Sequence, residues 1–291
     1  MKILKLGFAD TYDNAKAFFT AVLSRKYKVI RDDKDPDYLI FGDRNFGETH
    51  YGYKRAKKIF FTGENVRPSY YTFDHAVTFD HENSPRHYRL PLYVLEMWAC
   101  EKDNGFKYNH LRNKQIDVEA EFAKRTRFMA YIQSNPNCAP RNQFVQFMQQ
   151  NNAIDSAGPH MNNTGFVIPR DRNLKLKFFN EAYFGSAFEN GSYPGYVTEK
   201  LLDSYYANTI PVYWGSATVH KDFNSKSYVN VSDFADLQDM LKYLNHLTHN
   251  KNEYCDILAQ PAFVNDIPNE YTNLHSFLDW FDTFVVGGKR G

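Results

Sequence analysis

Short runs of β-branched and aromatic residues alternate with stretches of helical period along the first hundred positions. KILKLGF (2–8), YKVIR (27–31), YLIFG (38–42), KKIFFTG (57–63) and HAVTF (75–79) are bounded by Gly, Asp and Asn and predict strands. NAKAFFTAVLSR, between the first two, and LPLYVLEMWA (90–99) predict helices. This alternation predicts parallel βαβ units and a doubly wound sheet. From 101 to 127 the chain turns polar and charged, which predicts a domain boundary near 122, with domains over 1–122 and 123–291.

The second half repeats the alternation. RFMAYIQ (127–133), EAYFGSAFE (181–189), IPVYWG (210–215) and SYVNV (227–231) predict strands. PRNQFVQFMQQ (140–150), with Pro near its start, YVTEKLLDSYYAN (196–208) and DFADLQDMLKYLNHL (233–247) predict helices. The expected fold class is therefore α/β, two Rossmann-like sheets in sequence with a cleft between them. Ligands of open α/β sheets bind outside the carboxyl ends of the strands, which directs attention to the loops after 133 and 189.

One helix start raises a chemical question. In GYVTEKLL (195–202), Val197, Leu201 and Tyr205, widened by Leu202 and Tyr206, form the buried stripe, and Glu199 and Lys200 lie off it. A helix N-terminus carries about +0.5 charge, so Glu199 suits it, whereas Lys200 is unfavourable there by about 0.3 to 1 kcal/mol. Two things can compensate Lys200: a neighbouring carboxylate, Glu199 or Asp203, or an anion held where the free backbone N–H groups point. An exposed pair of the first kind is worth roughly 0.5 kcal/mol. Thr198 is the expected N-cap, and Gly195 loosens the loop before it. Glu189 and Asn190 directly follow a strand and point into the same loop region.

Composition narrows the partners. With 291 residues the chain can hold two domains, each with its own core. A net charge of +1 on 24% charged residues leaves no broad footprint for nucleic acid or an anionic membrane, so nucleic acid is not an expected partner. Nowhere do about 18 apolar residues run together, so no membrane span is expected. The opening MKILKLGFAD is too short in apolar residues for a secretory signal, so the expected location is cytoplasmic. Cys100, Cys138 and Cys255, odd in number and widely spaced, fit reduced thiols.

Familiar catalytic patterns are missing. There is no GxGxxG, GxxxxGK[ST], HExxH or GxSxG, which removes support for dinucleotide dehydrogenases, P-loop proteins, zinc proteases and elbow hydrolases. DDKDPD (32–37) reads as a solvated turn ahead of a strand, because its spacing fits no defined calcium or magnesium loop. His75, His81 and His87 recur every six residues, which puts no two on one helix face. No metal site is expected and no cofactor is required; divalent ions at most stimulate.

The block FENGSYPGYVTEKLLDSYYANTIPVYWGSATVHKDFNSKSYVNVSDF (188–234) resembles the signature of the α-1,3-fucosyltransferases of glycosyltransferase family ten, in particular the bacterial enzymes that build Lewis antigens. SNPNCAPRNQF (134–144) is a second match and AVTFDHENSPRHYRLPLY (76–93) a weaker one. The resemblance implies a glycosyltransferase-B arrangement, with an N-terminal acceptor-binding domain and a C-terminal domain that binds the donor, GDP-fucose. It carries the family's phosphate-binding arginine onto Arg141 and lysine onto Lys200, and its donor-site glutamate onto Glu199. Asn190, Tyr196, Val197 and Thr198 fall at the remaining donor-site positions. It further implies inverting transfer of L-fucose from GDP-β-L-fucose to O3 of N-acetylglucosamine in N-acetyllactosamine-type glycans, as in Lewis x synthesis.

A general base must take the hydroxyl proton. In the bacterial relatives a glutamate follows shortly after the FD pair. Here FDHENSPRHYR (79–89) is one residue shorter, so direct alignment points to His81 and a one-residue shift to Glu82. Glu82 is preferred, since a carboxylate tolerates adjacent oxocarbenium charge better than a histidine that becomes cationic. The alternative is that both are loop residues, with Asp80 capping a helix toward Arg89. YTNLHSFLDWFDTFVV (271–286) lacks Lys and Arg, and is expected to return and pack on the fold rather than meet a membrane. The closing VVGGKRG is set aside as a tail. Two other functions stay open: transfer from another nucleotide sugar, or a non-catalytic glycan- or nucleotide-binding module.

Overall fold

The structure, a computed structural model, describes residues 1–43, 48–67, 69–103, 111, 116–267 and 269–288. It divides into two compact units, residues 1–104 with 269–291, and residues 105–268.

Unit 1 is built on a six-stranded parallel sheet of order β2-β1-β3-β4-β5-β6. Its strands are β1 (Ile3–Ala9), β2 (Lys28–Arg31), β3 (Tyr38–Phe41), β4 (Lys57–Phe61), β5 (His75–Thr78) and β6 (His87–Arg89). Helix α1 (Asp13–Leu23) buries Phe18, Phe19, Val22 and Leu23, the positions its 3.6-residue period places on one face. Helix α2 (Leu92–Asp103) follows β6. The DDKDPD segment is a turn before β3: Asp32 accepts from the Lys34 and Asp35 amides at 3.0 Å each and pairs with Lys5.

Unit 2 carries a five-stranded parallel sheet of order β11-β10-β9-β7-β8. Its strands are β7 (Arg127–Tyr131), β8 (Asp155–Ser156), β9 (Ala182–Phe188), β10 (Ile210–Trp214) and β11 (Val229–Asn230). The helices are α3 (Val118–Ala123), α4 (Ala139–Gln150), α5 (Arg172–Asn180), α6 (Lys200–Tyr206), α7 (Leu237–His249) and α8 (Lys251–Leu258). The core joins Phe144 and Met148 of α4 to Phe184 and Phe188 of β9 and to Met240 and Leu244 of α7. Burying each such side chain is worth about 1.5 to 3 kcal/mol.

The expected division at 122 is corrected at both ends. α3 belongs to unit 2: Asp117 caps it, Glu121 pairs with the buried Arg125, and Phe122 packs on Tyr183 and Tyr254 at 5.3 and 5.2 Å. Of the charged stretch before it, 104–110 and 112–115 lie outside the described residues. The C-terminal segment does return to pack, but on unit 1. In α9 (Leu274–Trp280) and the turn of wide helix after it (Phe281–Val286), Phe277 meets Phe19 and Tyr88, and Phe281 meets Tyr27 and Tyr38. Nor is the end a loose tail as far as it is described: buried Lys57 donates through Nζ to the carbonyls of Val285 at 2.7 Å and Gly288 at 2.6 Å. Residues 289–291 lie outside the described residues. Cys138 and Cys255 are free and buried, and the Cys100 side chain is outside what is described.

Candidate functional site

In unit 2, β8 lies on one side of β7, and β9, β10 and β11 on the other, so the connections diverge at the β7–β9 edge. The crevice beyond the carboxyl ends at such a switch point is where doubly wound sheets take their ligands. The loop after β7 is held by Gln133, which accepts from the Tyr131 hydroxyl and donates to the Asn135 carbonyl and, at 3.0 Å, to Asn142 Oδ1. The neighbouring loop must carry glycine at 158, because a Cβ there would stand 2.3 Å from the Gln133 backbone. Helix α4 then starts with Pro140 in its first turn and brings Arg141 to the β9 end.

Arg141 is 4% exposed. Its Nη1 donates to Asn190 Oδ1 and its Nη2 to the Asn135 carbonyl, both at 2.8 Å. Its Nε has no hydrogen-bond partner among the described residues. The structure thus joins Arg141 and Asn190, and fixes a guanidinium with an uncommitted donor at the switch point.

A second cluster closes on Glu189, the first residue after β9. Thr198 donates to it twice, from its amide at 2.8 Å to Oε1 and from its hydroxyl at 2.6 Å to Oε2, and Lys200 Nζ lies 3.2 Å from Oε2. Lys200 also donates to Thr198 Oγ1 at 2.8 Å and stands 3.4 Å from Glu199 Oε1. The Glu189 side chain is fully buried, Lys200 is 17% exposed and Glu199 31%. Gly215 faces the acid, and a Cβ there would come within 2.6 Å of Glu189 Cγ. Gly195, at φ +87°, turns the loop so that its amide reaches Ser216 Oγ at 2.8 Å and Thr218 Oγ1 at 2.9 Å.

Three expectations change here. The carboxylates that compensate Lys200 are Glu189 and Glu199, while Asp203 is engaged by Arg172 and Lys175, each at 2.6 Å. The helix starts at Lys200 with Glu199 in the cap position, and the Thr198 hydroxyl serves Glu189 instead of capping. Tyr196 and Val197 are 1% and 0% exposed, so the Val197 side chain packs beneath the loop rather than lining it, and the Tyr196 phenol lies within electrostatic reach of Lys200. The sequence places Glu189 in the loop after its strand, and the one further signal for its part in the cluster is that an acid directly follows a strand as apolar as AYFGSAF.

Electrostatics follow from burial. Desolvation pushes the Glu189 carboxyl above its ordinary value, against the pull of Lys200 and the Thr198 hydrogen bonds. Desolvation opposes ionisation of Glu199 as well, but Lys200 and then Lys175 reverse it and hold that group down to about 2. Lys200 meets the same desolvation, and Glu189 and Glu199 outweigh it and raise its value. Lys200 is therefore a cation throughout the physiological range, held between two acids.

In unit 1 the other candidates line a cavity of about 410 Å³, with His81, Glu82, His87 and Arg89 on one side and Glu270 and Tyr271 on the other. Both His81 and Glu82 are exposed. The Tyr70 hydroxyl donates to Glu82 Oε2 at 2.9 Å. Asp80 caps no helix: it accepts from the Thr78 hydroxyl at 2.6 Å and pairs with Arg67, and the chain continues into β6. The Arg89 guanidinium lies 4.2 Å over the Tyr271 ring. No group of three or more His, Cys, Asp or Glu able to hold a metal occurs among the described residues, and no described helix is long and apolar enough to cross a membrane.

Comparison with known proteins bears on both units. Residues 3–96 match the alpha-(1,3)-fucosyltransferase FucT N-terminal domain, and residues 122–259 match the C-terminal part of glycosyltransferase family 10, the fucosyltransferases. An alpha-(1,3)-fucosyltransferase, FucT, of Helicobacter pylori is 30% identical over 275 residues, which is 86% of this chain and 56% of the relative; the chain thus spans about half that protein's length. A crystal structure of an alpha1,3-fucosyltransferase with GDP-fucose superposes with a TM-score of 0.77 at 28% identity, covering 98% of this chain and 91% of that one. A GDP-fucose protein O-fucosyltransferase 3 of Gallus gallus is 26% identical over 197 residues, 64% of this chain and 39% of the relative. Two parallel-sheet units, each with a 2-1-3 strand start, are the Rossmann-like pair of the glycosyltransferase-B type. On fold and on both sequence matches, this chain belongs to glycosyltransferase family ten, the fucosyltransferases.

Proposed function

We propose that the protein transfers L-fucose from GDP-β-L-fucose to O3 of N-acetylglucosamine in N-acetyllactosamine-type glycans, with inversion. The observation that carries this reading is Lys200, an ammonium only 17% exposed and paired with Glu189, the neighbour in sequence of the Asn190 that Arg141 binds after β9. Two cations there suit a pyrophosphate: Arg141 offers a planar fork, and Lys200 a point charge.

Charge bookkeeping indicates which contact yields to the donor. Arg141 and Lys200 are balanced by Glu189 and Glu199, so an incoming diphosphate needs one acid to move. Glu189 is fully buried and bound at 2.6 and 2.8 Å, whereas Glu199 is 31% exposed and only 3.4 Å from the ammonium. Glu199 therefore turns from Lys200 toward the fucose ring, where its charge favours an oxocarbenium-like transition state. As the C1–O bond to phosphate breaks, its electron pair leaves with GDP and is stabilised by Lys200 and Arg141. The acceptor hydroxyl forms the new bond from the opposite face and gives its proton to Glu82, the proposed base.

Incubation with GDP-fucose and N-acetyllactosamine, followed by mass spectrometry of the product and linkage analysis, tests the assignment. A fucosylated disaccharide linked at O3 is the expected result. Transfer only from GDP-mannose or UDP-galactose, or tight donor binding without any transfer, overturns it.

Glu189 enters this scheme as a positioning residue. Glu189→Gln keeps the shape but removes the charge that holds Lys200, so KM for GDP-fucose should rise on the order of tenfold, with kcat affected less; Glu189→Asp should recover part of the loss. An unchanged KM counts against the role. We also propose that the reaction proceeds without a metal, because two side-chain cations serve the leaving group. Activity should survive EDTA within about twofold, and complete, metal-reversible loss would overturn this.

A further inference from the structure

Unit 1 has a second and larger cavity, of about 610 Å³, for which the scheme above has no use. Its lining is basic and aromatic, with Lys54, Lys58, Arg86, Tyr70 and Tyr71 contributing and Asp74 as the one acid among the described residues. The acid is committed, since Asp74 Oδ2 accepts from the Lys58 amide at 2.7 Å. Neither lysine ammonium has an ion pair among the described residues. Arg86 is fixed in place: its Nε donates to the Asp74 carbonyl at 2.7 Å, its Nη2 to the carbonyls of Tyr70 and Phe73 at 3.1 and 2.6 Å, and it lies 4.6 Å over the Tyr70 ring. Three cations against one acid leave the cavity positive.

Two more features describe the occupant. Tyr71 is completely exposed at the rim, an aromatic face of the kind that packs on sugar rings. His75, 8% exposed, is part of the wall, with its Nδ1 buried and without a hydrogen-bond partner among the described residues. Burial, aided by Lys57, holds this imidazole down to about 4, so near neutral pH it adds no charge to the cavity. Tyr70 links the two cavities, its ring lining this one and its hydroxyl bonded to Glu82 in the other.

We propose that this cavity is a second saccharide subsite, which takes a sugar of the acceptor chain bearing an anionic group, carboxylate or phosphate. Its place in acceptor binding rests on the function proposed above; the preference for an anionic saccharide does not. Calorimetric titration with N-acetyllactosamine extended by glucuronic acid, by a glucose phosphate or by plain glucose separates these. The anionic glycans should bind about tenfold tighter than the neutral twin, with the advantage shrinking in 0.5 M NaCl. The carboxylate and phosphate arms report which group is preferred. Lys54→Met/Lys58→Met should erase the advantage while leaving the neutral glycan's affinity and fucose transfer to N-acetyllactosamine unchanged. If the double variant fails to fold, Lys54→Met alone, at an exposed position outside any strand, should still halve the advantage or more. Equal binding of all three glycans, or an advantage that survives both substitutions, overturns the proposal. Anionic preference without fucose transfer overturns the function and keeps the subsite; transfer without preference does the reverse.

Discussion

Lys200→Ala should lower kcat/KM for GDP-fucose by on the order of 10²- to 10³-fold, the scale expected when a donor aimed at developing charge is removed. The same change should also destabilise unit 2. An exposed Glu-Lys pair would be worth about 0.5 kcal/mol, but the Glu189 side chain is fully buried, so deleting its cation leaves a desolvated carboxylate at a cost of about 3 to 5 kcal/mol. Activity and stability would then fall together, and a companion variant is needed to separate them. Glu189→Gln/Lys200→Ala removes both charges and should recover most of the melting temperature while staying inactive. Recovery of turnover along with stability would show that Lys200 serves only the fold, and the assignment to phosphate would be wrong.

Glu82→Gln should reduce turnover at saturating GDP-fucose by on the order of 10²-fold or more, with donor affinity and melting temperature unchanged. Glu82 is exposed on the wall of its cavity, and Gln keeps an oxygen that can accept from Tyr70. Tyr70 holds Oε2 at 2.9 Å, which leaves Oε1 to receive a proton. Tyr70→Phe should therefore cost several-fold at most, through loss of aim rather than of chemistry. His81→Asn is the decisive partner variant, since His81 lines the same cavity. If Glu82→Gln stays near the wild-type rate while His81→Asn collapses, the base is His81.

The long elements were readable because their periods are long enough to register. The patterns for β1, β9 and α4 match the observed bounds to within about a residue or two, and the Arg141–Asn190 hydrogen bond falls in the loops after β7 and β9 to which the alternation of elements directs attention. β8 has two residues and β6 three, too few for any alternation to show. α6 begins four residues later than the apolar stripe suggests, because Tyr196 and Val197 are buried from a loop and so mimic helical spacing. The contact Glu189 makes is hidden in the sequence for a different reason. Its partner Thr198 is nine positions away across a loop closed by Gly195, and only folding turns that separation into a hydrogen bond.

The Lys57 clasp on Val285 and Gly288 makes unit 1 discontinuous, with unit 2 inserted between its two pieces. During synthesis, then, all six strands of the first sheet emerge before the segment that covers Phe19, Tyr27 and Tyr38, and at 5 to 20 residues per second the wait is on the order of ten to forty seconds. The synthesis of unit 2, which is continuous in sequence, fills that interval. The aromatic surface of the first piece stays uncovered until α9 follows it out, so α9 sets the moment at which the core of unit 1 closes.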